Sequence, residues 1–153
     1  MVKQQLGLSL IELMVVVSII GILALVTVPF TQSWLYEAQI NDAKSKLSHA
    51  YSQAKALALR NPDKVYGSGS MAACMNLSDK TLKVREPVGA VCSGNIVWQS
   101  SWPQGVSLTL NNANLTVISI NNRGAILTNN NQFSDDLAFT LSKGGVSYNG
   151  TLQ

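Results

Sequence analysis

No charged side chain occurs between Glu12 and Glu37. The stretch from Leu8 to Phe30 is apolar apart from Ser9, Glu12, Ser18, Gly21 and Thr27. About 20 apolar residues span a bilayer as a helix. Glu12 stands at the head of this run, where an ionised group is costly. Translocon-type scales put an acidic residue at a membrane helix centre at about +2.5 to +3.5 kcal/mol. A carboxylate kept in such a place is by default a functional site that needs a partner. That one placement constrains the chain more than any other feature.

The rest of the composition is ordinary. A chain of 153 residues allows one modest domain and an accessory segment. Apolar residues make up 46%, which excludes a disordered tail. Charged residues are only 12%, well below a soluble domain's usual share. The deficit is local, because Lys3 and Glu12 are the only charged side chains before Glu37. The net charge of +3 is scattered: Lys44, Lys46, Lys55, Arg60 and Lys64 alternate with Asp42 and Asp63. This reads as a solvated surface rather than a nucleic-acid face.

Chemistry-bearing residues are sparse. Cys74 and Cys92 lie beyond the apolar run, and if that part is outside the cytoplasm a disulfide between them is expected. Two cysteines and one distant histidine, His49, are too few ligands for a metal site. With one histidine on the polar side of a helix, a Ser-His-Asp or Cys-His arrangement has no support. Asp135-Asp136 reads as a turn before a strand, since no further acidic ligands cluster nearby. The expectation is a non-enzyme with no cofactor and no metal.

The apolar run admits four readings. A secretory signal has a shorter apolar core and an A-x-A-like site, whereas Thr27-Val28-Pro29-Phe30 runs into another helical pattern. A core helix would not be so long or so free of charge. A plain anchor explains the length but leaves Glu12 without a reason. The fourth reading is a specialised signal. Gly7-Leu8-Ser9-Leu10-Ile11-Glu12 resembles the type III signal of type IV pilins and type II secretion pseudopilins, written GF[TS]L[IV]E. Five of the six positions match; Leu8 replaces the usual Phe and keeps its apolar character. Pro29 falls where these proteins commonly carry a kinking proline.

The resemblance implies a role for each matching residue. A prepilin peptidase would cut between Gly7 and Leu8, and the new amino terminus on Leu8 would be N-methylated. The Glu12 carboxylate would pair with the terminal ammonium of an adjacent subunit, setting axial register. Inside apolar packing a paired charge is far less costly than an unpaired one. Gly21 and Pro29 would be the soft, kinking points of the helix. The implied division is a leader at residues 1–7, a transmembrane and filament-core helix at 8–35, and a periplasmic globular domain at 36–153.

Beyond Pro29 the pattern becomes amphipathic. Tyr36, Ile40, Ala43, Leu47, Ala50, Tyr51, Ala54, Leu57 and Ala58 recur at helical spacing, with Asp42, Lys44, Lys46, His49, Gln53 and Lys55 largely between them. The helix is expected to stop near Arg60-Asn61-Pro62, because a residue before proline is pushed out of the α region. From Leu8 to Arg60 it would run about 80 Å at 1.5 Å per residue. Farther on, residues 94–99 and 106–110 read as strands. Two hairpins follow, around Asn121-Asn122-Arg123-Gly124 and around Lys143-Gly144-Gly145. The fold class is α+β: a pilin fold, with one long N-terminal helix packed on a C-terminal antiparallel sheet domain. The run Val117–Gly124 resembles part of the GspH/FimT/FimU-type minor pilin domain.

Three functions fit the resemblance. The first is a minor pilin of a type IV pilus, acting in assembly, in initiation or at the tip through helix-mediated polymerisation. The second is a GspH-like pseudopilin in protein export. The third is a competence minor pilin that binds DNA. The third weighs least, since Leu141–Gln153 carries only Lys143 where the DNA-binding members bear an Arg-containing tail. The implied partners are other pilins, the prepilin peptidase, the inner membrane and the assembly platform. The implied location is the inner membrane with the C-terminal domain in the periplasm, and then the pilus or pseudopilus.

Overall fold

The computed structural model describes residues 9–67, 69–111, 117–127, 133–134 and 136–153; of residues 26–30 and 133 only the backbone is described. Among the described residues a single helix, α1 (Leu10–Arg60), is followed by nine strands. It ends where the pre-proline argument places the stop. Asn61 takes the left-handed conformation (φ 46°) instead of an extended one. Its N–H bonds the Leu57 carbonyl at 3.1 Å, and its Oδ1 accepts the Val65 N–H at 2.8 Å. Asn is one of the few residues that close a helix in this way.

The chain divides into two compact units, Met1–Leu35 and Tyr36–Gln153. Within the second, Ile40, Ala43, Leu47, Ala50, Tyr51, Ala54, Leu57 and Ala58 are all buried, while Tyr36 is half-buried. Four of these are alanines, which let the helix backbone approach a sheet closely. The lysines and His49 between them stay on the wet side or at its margin.

The strands are β1 (Met71–Ser78), β2 (Thr81–Arg85), β3 (Ile96–Ser101), β4 (Ser107–Leu110), β5 (Val117–Asn121), β6 (Ile126–Leu127), β7 (Phe133–Ser134), β8 (Leu137–Lys143) and β9 (Val146–Leu152). They form a six-stranded sheet, β3-β2-β1-β5-β6-β7, and a three-stranded sheet, β4-β8-β9. All pairings are antiparallel. Both sheets contribute to one core with the helix: Ala73, Met75, Leu82, Val84, Ile118 and Ile120 from the larger, Leu110, Phe139, Leu141 and Leu152 from the smaller. The α+β class and the antiparallel sheets agree with the sequence reading.

The turns explain the hairpins. Asn121 is buried, and its Oδ1 accepts the N–H groups of Arg123 and Ala125 at 3.0 and 2.9 Å. Gly144 and Gly145 both have positive φ (56° and 85°), the pair that a two-residue type I′ turn requires. A Cβ on Gly144 would lie 2.3 Å from the Tyr36 ring, so space as well as backbone favours glycine there.

The connection from β2 to β3 prolongs their hairpin. Glu86 donates its N–H to Asn95, and Val88 and Val91 bond each other's carbonyls. Cys92 in this connection is disulfide-bonded to Cys74 on β1, with a Cα–Cα distance of 5.8 Å and a sequence separation of 18. The bond ties an exposed loop to a buried strand. Replacing both cysteines by alanine is expected to lower unfolding free energy by about 3 kcal/mol, the chain-entropy value for a loop of this size. Urea unfolding followed by circular dichroism measures it. An unchanged midpoint would mean that the loop's backbone bonds already hold it.

Candidate assembly site

The helix start is built by its own residues. Ser9 is not helical, and its carbonyl accepts the Leu13 N–H at 3.2 Å. The Ser9 N–H in turn donates to Glu12 Oε2 at 3.2 Å. This is half of a capping box, in which the third helical residue reaches back to an otherwise unpaired backbone donor. Glu12 also lies where the positive end of the helix dipole favours a carboxylate. The contact was readable in advance, since S-x-x-E before an apolar run is its signature. The account of Glu12 by intersubunit pairing alone overlooks this local bond.

Beyond the cap, the helix presents apolar groups to its surroundings. Leu10, Ile11, Leu13, Met14, Val15, Val16, Val17, Ile19, Ile20, Ile22, Leu23 and Leu25 are each at least 50% exposed in the single chain. Such uniform exposure, not confined to one stripe, marks a helix whose cover lies outside its own domain. Ser18 returns its hydroxyl to the Met14 carbonyl at 2.7 Å, so that polar group is satisfied without water. A Cβ on Gly21 would meet nothing within 4 Å. Among the described residues no helix is long and apolar enough to cross a membrane. Gly7, Leu8 and the side chains of residues 26–30, Pro29 among them, lie outside the described residues.

His49 is exposed, and Asp135 lies outside the described residues. Among the described residues no group of three or more His, Cys, Asp or Glu could hold a metal. Lys44, Lys55 and Lys143 each sit over a tyrosine ring, those of Tyr148, Tyr51 and Tyr36, at 4.3, 5.3 and 5.7 Å. Lys143 also donates to the Gln104 carbonyl. Trp102 is buried with its indole N–H on the Val106 carbonyl at 2.8 Å, and Trp98 packs against the core. These aromatics are structural.

Residues 2–28 match the family model described as the prokaryotic N-terminal methylation motif. The match supports the type IV pilin and pseudopilin superfamily and a prepilin-type signal. The family marked by that motif is structural, not enzymatic. No curated protein and no solved structure matches the chain significantly.

Proposed function

We propose that the chain is a minor pilin, a structural subunit that enters a type IV pilus through its N-terminal helix. The observation that carries this reading is the methylation motif placed at the head of a helix with outward apolar side chains. In this proposal the helix is first held in the inner membrane, with residues 36–153 in the periplasm. A prepilin peptidase cuts after Gly7, and the ammonium on Leu8 becomes N-methylated. On leaving the bilayer the helix exchanges lipid for the helices of neighbouring pilins. Van der Waals packing supplies the association, because lipid and helix are equally apolar.

In that setting Glu12 is the specific element. One carboxylate oxygen holds the chain's own Ser9 amide. The carboxylate's remaining acceptor capacity meets a neighbour's terminal ammonium, and only one axial register brings the two together. Gly21 and Pro29 supply a place for the helix to adjust. The test is the intact mass of the chain from cells with and without a prepilin peptidase. The expected mature form begins at N-methylated Leu8 only when the peptidase is present. A chain that keeps Met1–Gly7 in both cases would overturn the reading.

A further inference from the structure

Trp34 is 71% exposed in the single chain, whereas Trp98 is half-buried and Trp102 is buried. Its neighbours Gln32, Ser33 and Leu35 are exposed as well. An indole is a large apolar body with one N–H donor, and leaving it bare in water is unfavourable. Its place in the sequence is equally specific. No Phe, Tyr or Trp occurs before Phe30, and Trp34 follows one helical turn later. The next charged side chain after it is Glu37.

Spacing along the helix points to what the ring meets. Glu12 and Trp34 lie on the same element, α1, 22 positions apart. At 1.5 Å per residue that is about 33 Å. The hydrocarbon core of a bilayer is about 30 Å thick, and the headgroup layers add about 5–7 Å on each side. The uncharged run Leu13–Phe30 covers about 27 Å and so fills the hydrocarbon. Glu12 then falls at one boundary. Trp34 falls about 6 Å beyond Phe30, inside the opposite headgroup layer. Glu37 lies about 4.5 Å farther out, clear of the apolar zone.

We propose that Trp34 is an interfacial anchor, whose indole seats at the periplasmic headgroup–acyl boundary and fixes the depth of the helix before assembly. This rests on the reading of the helix as membrane-held, and it names the residue that sets its level. Tryptophan is favoured at this depth because its ring lies against the acyl chains while its N–H reaches headgroup oxygens and water. Anchors of this kind, and not length alone, set how a helix sits in a bilayer. Holding Trp34 at the far boundary keeps Glu12 at the near one. The carboxylate then stays at headgroup level with its Ser9 amide, away from the midplane where an acid is most costly. Leu23, 11 positions from each, marks that midplane.

The test places the full chain in phosphatidylcholine vesicles whose acyl chains carry bromine either near the headgroup or near the chain end. Bromine quenches only the tryptophans it can touch. Emission present in the parent and missing from Trp34→Phe is the share of Trp34. Shallow bromine is expected to quench that share several-fold more than deep bromine. Leu23→Trp, made in the Trp34→Phe chain, is the depth standard, and its added emission is expected to show the reverse order. Flotation with the vesicles reports insertion separately. A chain that stays out of the vesicles overturns the membrane reading and this inference with it. A chain that inserts, with Trp34 quenched equally by both bromines or more by the deep one, overturns the anchor alone. Quenching by neither would mean that another copy covers Trp34, and the anchor fails in that case too.

Discussion

Glu12→Gln is expected to remove the chain from filaments while leaving membrane insertion, cleavage after Gly7 and the Tyr36–Gln153 unit intact. The substitution separates two roles of one carboxylate. Gln keeps an oxygen that can accept the Ser9 amide, so the cap survives. It loses the charge that would meet a neighbour's ammonium. Leaving a buried charge without its partner costs about 3–5 kcal/mol. At about 1.4 kcal/mol per factor of ten, incorporation should fall by roughly two to four orders of magnitude. Glu12→Ala removes cap and charge together and should fall as far. Loss of a cap alone costs about 0.5–2 kcal/mol. In a helix of 51 residues that frays the first turn and little else. The measurement is the ratio of variant to parent in sheared filaments, against the amount in membranes. Should Glu12→Gln enter filaments normally while Glu12→Ala does not, Glu12 is a helix cap and the pairing account fails.

Leu47→Ala is expected to destabilise the second unit by about 3–4 kcal/mol, within the range for leucine truncation in a core. Leu47 is fully buried in the cluster that joins the helix to both sheets. Its neighbours are held by strand pairing and cannot collapse freely into the space, so the cavity term is retained. With a slope of about 1–3 kcal/mol per molar urea, the midpoint should fall by about 1–4 M. Leu59→Ala on the same helix is the control. Leu59 is 62% exposed, and its truncation should stay within about 0.5 kcal/mol. Equal effects at the two sites would mean that helix propensity, not packing, dominates this element.

Much of this is legible in the sequence alone. The buried helix positions from Ile40 to Ala58 follow from spacing alone, because a helix against a sheet repeats its contacts every three to four residues. The turns at Asn121–Gly124 and Gly144–Gly145 were readable because their residues tolerate positive φ or bond their own backbone. β1 and β2 were harder to see. Ala72, Ala73, Cys74 and Met75 are all buried, so β1 shows no alternation. The β1–β2 turn is Asp79-Lys80, both at positive φ without a glycine. Lys80 is a poor advertisement for such a conformation, and only the pairing of the flanking strands holds it there. Gly94 is likewise explained only by neighbours: a Cβ there would meet the Glu86 carbonyl oxygen at 2.3 Å.

What the sequence determined by itself is local and one-dimensional. The run from Leu8 to Phe30, the placement of Glu12 and the methylation motif at residues 2–28 are properties of neighbouring residues, and local chemistry is enough to read them. Tertiary structure decided which distant residues meet. It brought β5 beside β1, with Cys74 opposite Ser119, and split the strands into two sheets that share one core. It seated the Cys74–Cys92 bond between a buried strand and an exposed loop. Among the described residues it also left β9 paired on one side only, with β8. The physical reason is that backbone hydrogen bonds between strands carry no sequence address. Which edges meet is set by the burial of whole faces, and that is a property of the assembled core.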